Sequence, residues 1–161
     1  DNAVAIADHI AGSTEKFAEM MNAEAKKLMA TNSHFVNPSG LHDDNHYTTA
    51  YDLYLIFNEC IKHDDFVKII NSSSYTAHIT GADGTKRDVK WEPTNYYAKG
   101  EATPPDNVTI IGGKTGTTKG AGNCLILLTK DRSGNPYISI IMGAGSKPLL
   151  YQDMTSMLSK I

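Results

Sequence analysis

A lysine lies inside the most glycine-rich stretch of this 161-residue chain. The stretch reads IIGGKTGTTKGAG, residues 110–122, and Lys114 in it is flanked by Gly112, Gly113 and Gly116. Glycine weakens a strand but permits close approach by a ligand or another backbone. An extended peptide could then add to this strand through main-chain hydrogen bonds, with Lys114 supplying a positive charge. The pattern predicts a site for a short peptide that ends in a carboxylate; a bulged hairpin with a solvated lysine is the alternative.

The composition is that of an ordinary globular protein. The chain is 40% apolar and 20% charged, with a net charge of −3. These values argue against disorder, and the mild negative charge argues against nucleic-acid binding. Cys60 and Cys124 each lie among apolar residues, so we expect two buried free thiols rather than a disulfide framework.

Hydrophobic spacing predicts one domain over residues 1–161, mainly helical in 1–70 and sheet-forming in 71–161, with a final helix. In the second part, two hairpins flank the glycine-rich strand. The strands of the second hairpin are almost continuously apolar, which predicts that both of their faces are covered. The fold class is therefore α+β. The residues predicted to cap helices are Ser13, Thr49 (in a capping box with Asp52) and Asp64.

Lys114-Thr115-Gly116 also completes a set of motifs, S-x-x-K, S-x-N and K-T-G, that occurs in penicillin-binding proteins and serine β-lactamases. The stretches GS…F…MN, NPSGL, TAYDL, GGKTGTTKGAG and ISIIMGA follow one another in the chain. In this order and spacing, the whole chain resembles the D-alanyl-D-alanine carboxypeptidases, the low-mass penicillin-binding proteins. The resemblance implies a β-lactamase/transpeptidase-like fold, with an antiparallel sheet flanked by helices.

The same resemblance implies a serine peptidase of the bacterial cell wall. Such an enzyme removes the terminal D-alanine from peptidoglycan stem peptides through an acyl-enzyme, and β-lactams acylate it too. A serine beside a lysine base is the nucleophile in this chemistry. Neither a cofactor nor a metal is implied. The expected location is extracytoplasmic, in the cell envelope, and membrane association would require a segment outside this chain.

Five residues take site roles from the resemblance. Asn2 matches the asparagine of S-x-N and would hydrogen-bond the substrate's amide. Lys114 would help to hold the substrate, Thr115 would contact its carboxylate, and Gly116 would leave room for its backbone. The N–H of Thr117 would be one oxyanion donor, which is worth about 3 kcal/mol of the reaction barrier.

The sequence departs from the family pattern in two places. The serine of S-x-N would immediately precede Asp1, and the S-x-x-K nucleophile would lie further upstream. We therefore expect a C-terminal part of a catalytic domain, without its N-terminal strands and nucleophile helix, and inactive alone. The family also often carries an arginine shortly after MGA, near the substrate's carboxylate; here the segment is GSKPLLYQD, and Lys147 is the nearest basic residue.

Two other patterns have simpler interpretations. Ser13 and Lys16 form an S-x-x-K, but it follows the S-x-N position, and Ser13 is placed to cap a helix. The histidines of HDDNH, His42 and His46, have a spacing seen in metal sites, but they lie in a loop where polar side chains satisfy turns.

An aromatic group, Trp91 with Tyr96 and Tyr97, could form a sugar platform. A hairpin packing cluster is the interpretation we favour, because aromatic side chains bury large apolar surfaces.

Two alternative functions remain at this stage. A class A β-lactamase has the same fold but needs a glutamate followed four residues later by asparagine, a pairing that none of the chain's glutamates shows. A non-catalytic penicillin- or peptide-binding module would keep the binding groups without a nucleophile.

Overall fold

The computed structural model describes residues 2–161, in which six helices and five strands form. The helices are α1 (Asn2–Ala11), α2 (Thr14–Lys27), α3 (Ala50–Cys60), α4 (Asp64–Ile70), α5 (Tyr96–Lys99) and α6 (Lys147–Leu158). The strands are β1 (Tyr75–Thr80), β2 (Lys86–Trp91), β3 (Val108–Thr118), β4 (Gly122–Asp131) and β5 (Pro136–Ala144). The α+β prediction is confirmed. Within residues 2–161, none of the helices combines the length and apolarity needed to traverse a bilayer.

Two of the predicted helix caps form as expected. Gly12, with φ +80°, ends α1, and Ser13 then adopts an extended conformation. The Ser13 hydroxyl accepts a hydrogen bond from the N–H of Lys16 at 3.2 Å, which satisfies one of the free donors of α2. At the start of α3, the Thr49 hydroxyl accepts from the N–H of Asp52 at 3.1 Å.

The other half of the predicted capping box is absent. The Asp52 carboxylate, only 1% exposed, turns away from the helix start. Its Oδ2 accepts hydrogen bonds from the N–H of Asn32 and the hydroxyl of Ser33, both at 2.7 Å. The carboxylate that was predicted to cap α3 is therefore hydrogen-bonded to the loop that precedes this helix.

The predicted cap at Asp64 is also wrong. His63 occupies the N-cap position and makes no side-chain hydrogen bond, while Asp64 is the first helical residue. A carboxylate in the first turn still interacts favourably with the helix dipole.

Three antiparallel strands form the main sheet in the order β3-β4-β5. Lys114 of β3 lies opposite Ile126 of β4, and a register shift separates Ile110 from Gly112. The strands β1 and β2 form a separate hairpin in which Tyr75 lies opposite Trp91. The glycine-rich strand is thus an edge of the three-stranded sheet.

Both faces of β4 are covered. α6 packs on β4 and β5, and its side chains join Leu125 and Leu127 in the main core. Leu128 points to the opposite face by strand alternation and is also buried. The prediction of two covered faces is confirmed for β4. It is wrong for the ends of β5, where Tyr137 and Met142 are exposed, because β5 is the other edge of the sheet.

Both cysteines are free thiols, as predicted, but neither is fully buried. Partial burial raises the pKa of the Cys60 thiol. Cys124 lies opposite Gly116 in the sheet. Because glycine has no side chain, Cys124 is left partly exposed.

The N-cap of α2 provides a stability test. Ser13→Ala removes the acceptor for the Lys16 N–H and should destabilise the fold by about 1 kcal/mol. Ser13→Asn keeps an acceptor and should stay close to the wild type. Urea unfolding of both variants measures the difference, and equal stability of the alanine and asparagine variants would contradict the capping role.

Candidate active site

An open cavity of ≈ 510 Å³ lies along β3. One wall is formed by residues 114–118, a second by Ser39 and Gly40 of the loop after α2, and a third by the first two turns of α6. Four of the five predicted site residues, from Lys114 to Thr117, line it together. Asn2 is exposed at the start of α1 and is not among the lining residues, so its role stays a prediction.

The glycines of β3 have different functions. A Cβ at Gly112 would lie 2.1 Å from the carbonyl oxygen of Ile70, at the end of α4, and one at Gly113 would lie 2.0 Å from that of Ile126 in β4. At Gly116 the nearest atom would be the Cβ of Cys124, 3.9 Å away. The first two glycines are therefore required by protein backbone, contrary to the ligand interpretation, and Gly116 alone leaves open space.

Hydroxyl groups on β3 are held in place by neighbouring side chains. The Thr115 hydroxyl is 2.5 Å from that of Thr94, and the Thr117 hydroxyl donates to the Asn123 side-chain oxygen at 3.3 Å. The exposed Lys114 ammonium donates to the carbonyl of Thr115. Since β4 pairs with only one side of β3, an extended ligand could pair with the other side.

The cavity carries positive charge from two lysines. Lys114 and Lys147 both line it, and no carboxylate is among the lining residues. Lys147 lies in the first turn of α6, where the helix dipole disfavours a cation, and its ammonium is 5.7 Å from the centroid of the Tyr96 ring. The arrangement is complementary to an anionic ligand.

Tyrosines fix the position of that lysine. The Tyr96 and Tyr151 rings stack at 4.6 Å with an interplanar angle of 6°, and the Tyr151 hydroxyl oxygen accepts from the N–H of Tyr96 at 2.9 Å. Burial raises the pKa of Tyr151, which keeps its hydroxyl neutral. The sequence did not reveal this pair, because no periodicity connects positions 55 residues apart.

Comparisons with known proteins show the family and the fold of this chain. The family model described as D-alanyl-D-alanine carboxypeptidase matches residues 1–146. The chain belongs to this family. Among curated relatives, the carboxypeptidase DacF of Bacillus subtilis is 30% identical, over 98% of this chain and 38% of its own length. DacC of Escherichia coli is 28% identical, over 99% and 36% respectively.

Solved structures show the same fold. The crystallised DD-transpeptidase of Streptomyces (strain K15), as its S216A variant, superposes with a TM-score of 0.87 at 26% identity, covering 98% of this chain and 60% of that one. This confirms the predicted transpeptidase-like fold. The chain thus spans little more than a third of the curated relatives DacF and DacC and 60% of the solved relative.

In this carboxypeptidase-family chain, the wall opposite β3 is held by two helices. The loop that carries Ser39 and Gly40 is tied to α3 through Asp52. It is tied to α2 through Asn22, whose side chain donates to the carbonyl of Phe35 at 2.7 Å and accepts from its N–H at 2.8 Å. The position of this wall therefore depends on the packing of α2 and α3.

The histidines of the HDDNH segment stabilise the same loop. Nδ1 of His46 accepts from the N–H of Val36 at 3.2 Å, and the His42 ring lies against Gly120. Across residues 2–161, no three His, Cys, Asp or Glu side chains are grouped as a metal site would require. A turn forms within the segment, as predicted, because the Asp43 side chain accepts a hydrogen bond from the N–H of Asn45 at 2.8 Å.

The predicted aromatic group is divided between two places. Trp91 stacks on Tyr75 across the hairpin, with ring centroids 6.1 Å apart. Tyr97 packs against Tyr151 instead, in the core beneath α6. The hairpin packing interpretation is right for Trp91 and wrong for Tyr96 and Tyr97.

A pair of glycine substitutions separates the structural from the functional glycine. Gly112→Ala places a methyl group against the Ile70 carbonyl and should destabilise the fold by about 1–3 kcal/mol. Gly116→Ala should leave the unfolding free energy nearly unchanged while it weakens peptide binding, because its methyl group projects into open space. Urea unfolding and peptide titration distinguish the two, and equal destabilisation by both would contradict this assignment.

The loop should depend on pH through His46. Burial lowers the pKa of His46 below its ordinary value of about 6.5, and its Nδ1 must be unprotonated to accept from Val36. The neutral form therefore stabilises the loop above pH about 6.5, and this stabilisation is lost as the pH falls through the folded-state pKa. NMR titration of the His46 ring and the Val36 amide measures this, and a midpoint above 6.5 would contradict it.

Proposed function

We propose that this chain forms the substrate-holding part of a serine D-Ala-D-Ala carboxypeptidase. Its substrate is the stem peptide of peptidoglycan, from which it removes the terminal D-alanine, and β-lactams bind in the same cleft. The observation that supports this best is the K-T-G edge strand, in which Gly116 alone is open and lysines from two walls face one cavity. The proposed location is the cell envelope.

The terminal carboxylate of the substrate is held at three groups. Lys114 and Lys147 supply positive charge from two different walls, and the Thr115 hydroxyl, already oriented by Thr94, donates a hydrogen bond. Lys147 takes the place of the arginine that the family often carries. A hydrogen bond to a charged group contributes about 1.5–3 kcal/mol, so each cation has a measurable effect.

The scissile carbonyl lies further along β3, above Gly116. The N–H of Thr117 stabilises the oxyanion that develops when the carbonyl is attacked. Asn2 hydrogen-bonds the substrate's amide from the start of α1. In this proposal the substrate backbone runs along the unpaired side of β3 as an added strand.

The nucleophile is a serine with a lysine base, in the part of the catalytic domain that these residues do not span. Ser13 is unsuitable because its hydroxyl already caps α2. That further part of the domain is the partner that completes the site. Hydrolysis of the acyl-enzyme by water then releases the shortened peptide.

Covalent labelling tests the reaction class. The natural full-length protein should form a one-to-one penicillin adduct and release D-alanine from an acyl-D-Ala-D-Ala peptide, both detected by mass spectrometry. Residues 1–161 alone should form no adduct. An adduct mapped to Ser13 would reject our assignment of the nucleophile, and the absence of any adduct in the full-length protein would favour a non-catalytic binding module.

Two lysines that both lie near the Tyr96 ring provide a matched test of carboxylate binding. Lys147 and Lys99 lie 5.7 and 5.6 Å from the Tyr96 ring centroid, but Lys99 is paired with Glu101 and does not line the cavity. Lys147→Met should lower kcat/KM for an acyl-D-Ala-D-Ala peptide roughly tenfold or more, as loss of a charged hydrogen bond implies. Lys99→Met should stay within about twofold and Lys147→Arg should retain most activity, because the charge in the cavity is kept. Equal losses in the two methionine variants would disprove the role of Lys147.

A further inference from the structure

Thr94 brings a second hydroxyl group to the proposed carboxylate site. Its Oγ1 lies 2.5 Å from Oγ1 of Thr115, and both side chains line the cavity together with Lys114 and Lys147. Thr94 belongs to the segment between β2 and α5, 21 residues before Thr115 in the sequence. The hydroxyl that donates to the substrate's carboxylate in the proposed function is therefore itself in contact with another hydroxyl.

Core residues fix the backbone next to Thr94. Asn95 is 4% exposed, and its side-chain oxygen accepts from the N–H of Tyr97 at 3.1 Å, which caps α5. The N–H of Tyr96 donates to the Tyr151 hydroxyl at 2.9 Å, and Tyr97 and Tyr151 belong to the main core. The exposed Thr94 side chain thus extends from a fixed segment, and the packing of α5 and α6 sets its position.

Hydrogen-bond chemistry determines the direction of this contact when a carboxylate is bound. A hydroxyl has one proton to donate and two lone pairs that accept, whereas an ionised carboxylate only accepts. The Thr115 proton must therefore go to the carboxylate, so Thr94 is the donor to the Thr115 oxygen. The two bonds form a chain in which each one polarises and strengthens the other.

A terminal carboxamide does not use this chain in the same way. Bound with its N–H₂ toward Thr115, it reverses both bonds, because the Thr115 oxygen accepts from the amide and the Thr115 proton goes to Thr94. Bound with its oxygen there, it is a neutral acceptor, and a hydrogen bond to a neutral acceptor is about half as strong as one to a charged acceptor. The donor function of Thr94 therefore favours the ionised ligand.

We propose that Thr94 is a positioning residue that makes the site selective for a carboxylate over a carboxamide. It acts through Thr115, whose proton it directs toward the substrate. Lys114 and Lys147 attract any anion, whereas Thr94 distinguishes an acceptor from a donor at one point of the cleft. This inference rests on the proposed function, because that function places the terminal carboxylate at Thr115.

Steady-state kinetics of the natural full-length protein test this selectivity. Thr94→Val is nearly isosteric but removes the donor, and it should raise KM for an acyl-D-Ala-D-Ala peptide about three- to tenfold, the effect of one hydrogen bond. The bond is present in the ground state and the transition state alike, so kcat should stay within about twofold. For the same peptide ending in D-alaninamide, kcat/KM should also stay within about twofold.

Two further variants separate positioning from a general structural effect. Thr94→Ser keeps the hydroxyl and should retain the wild-type preference for the carboxylate. Thr109→Val changes an exposed threonine of β3 that does not line the cavity, and it should leave both substrates unaffected. Equal losses for the two substrates in Thr94→Val, or no recovery in Thr94→Ser, would overturn the proposal.

A double-variant cycle tests whether Thr94 acts through Thr115. Thr115→Val alone should lower the preference for the carboxylate, and addition of Thr94→Val should lower it no further, because the hydroxyl that Thr94 directs is already gone. A further loss as large as that of Thr94→Val alone would show that Thr94 acts independently, and it would disprove the positioning role.

Binding of unreactive ligands gives a readout that needs no catalysis. The ligands are two acyl-D-Ala-D-Ala analogues in which a carbon–carbon double bond replaces the scissile amide, one ending in a carboxylate and one in a carboxamide. Calorimetry should show that Thr94→Val lowers the ratio of their affinities about three- to tenfold. An unchanged ratio would reject the inference even if the protein cleaves D-Ala-D-Ala. A lowered ratio in a protein without that activity would reject only the proposed function, and no binding of either analogue would reject both.

Discussion

Close backbone contact at two glycines determines how the rest of the site is arranged. The carbonyl of Ile70 occupies the place where a side chain of Gly112 would be, and the carbonyl of Ile126 does the same at Gly113. These contacts fix β3 between the end of α4 and strand β4, at the two residues directly before the cleft begins at Lys114. Because interiors tolerate little added volume, the register of β3 cannot shift without a clash. The positions of Lys114 and of the residues after it in the cleft are thereby fixed by a rigid strand.

The electrostatics of the cleft depend on parts of the chain that are distant in sequence. Lys114 comes from the sheet and Lys147 from the first turn of α6, and a stacked tyrosine pair positions the second lysine. Two ammonium groups in a cleft whose lining residues include no carboxylate are complementary to an anion. This is the general pattern of binding sites that are arranged for charge complementarity.

Local patterns in the sequence predicted local structure well. The cap at Ser13, the hairpins, the glycine-rich strand beside β4 and the final helix all follow from spacing over a few residues. Features that depend on tertiary contact were missed or misassigned. Asp52 fits a capping box, yet its carboxylate is hydrogen-bonded to a loop 20 residues earlier. Tyr96 contacts Tyr151 only because α6 folds back over the sheet. Gly112 is required because the backbone of α4 occupies the place of a side chain. No single-sequence pattern encodes such pairings, because each depends on which surfaces meet.

The anchoring of the Ser39–Gly40 wall has a mechanical consequence. A loop held only by its own turns would open and close alone, on the fast timescale of exposed segments. The start of this loop, at Asn32, Ser33 and Phe35, is instead tied to α3 through Asp52 and to α2 through Asn22, so the two helices set the position from which the Ser39–Gly40 turn extends. The width of the cleft is therefore coupled to the helical part of the domain. Mutations that loosen the packing of α2 or α3 would change the aperture of a site that they do not touch.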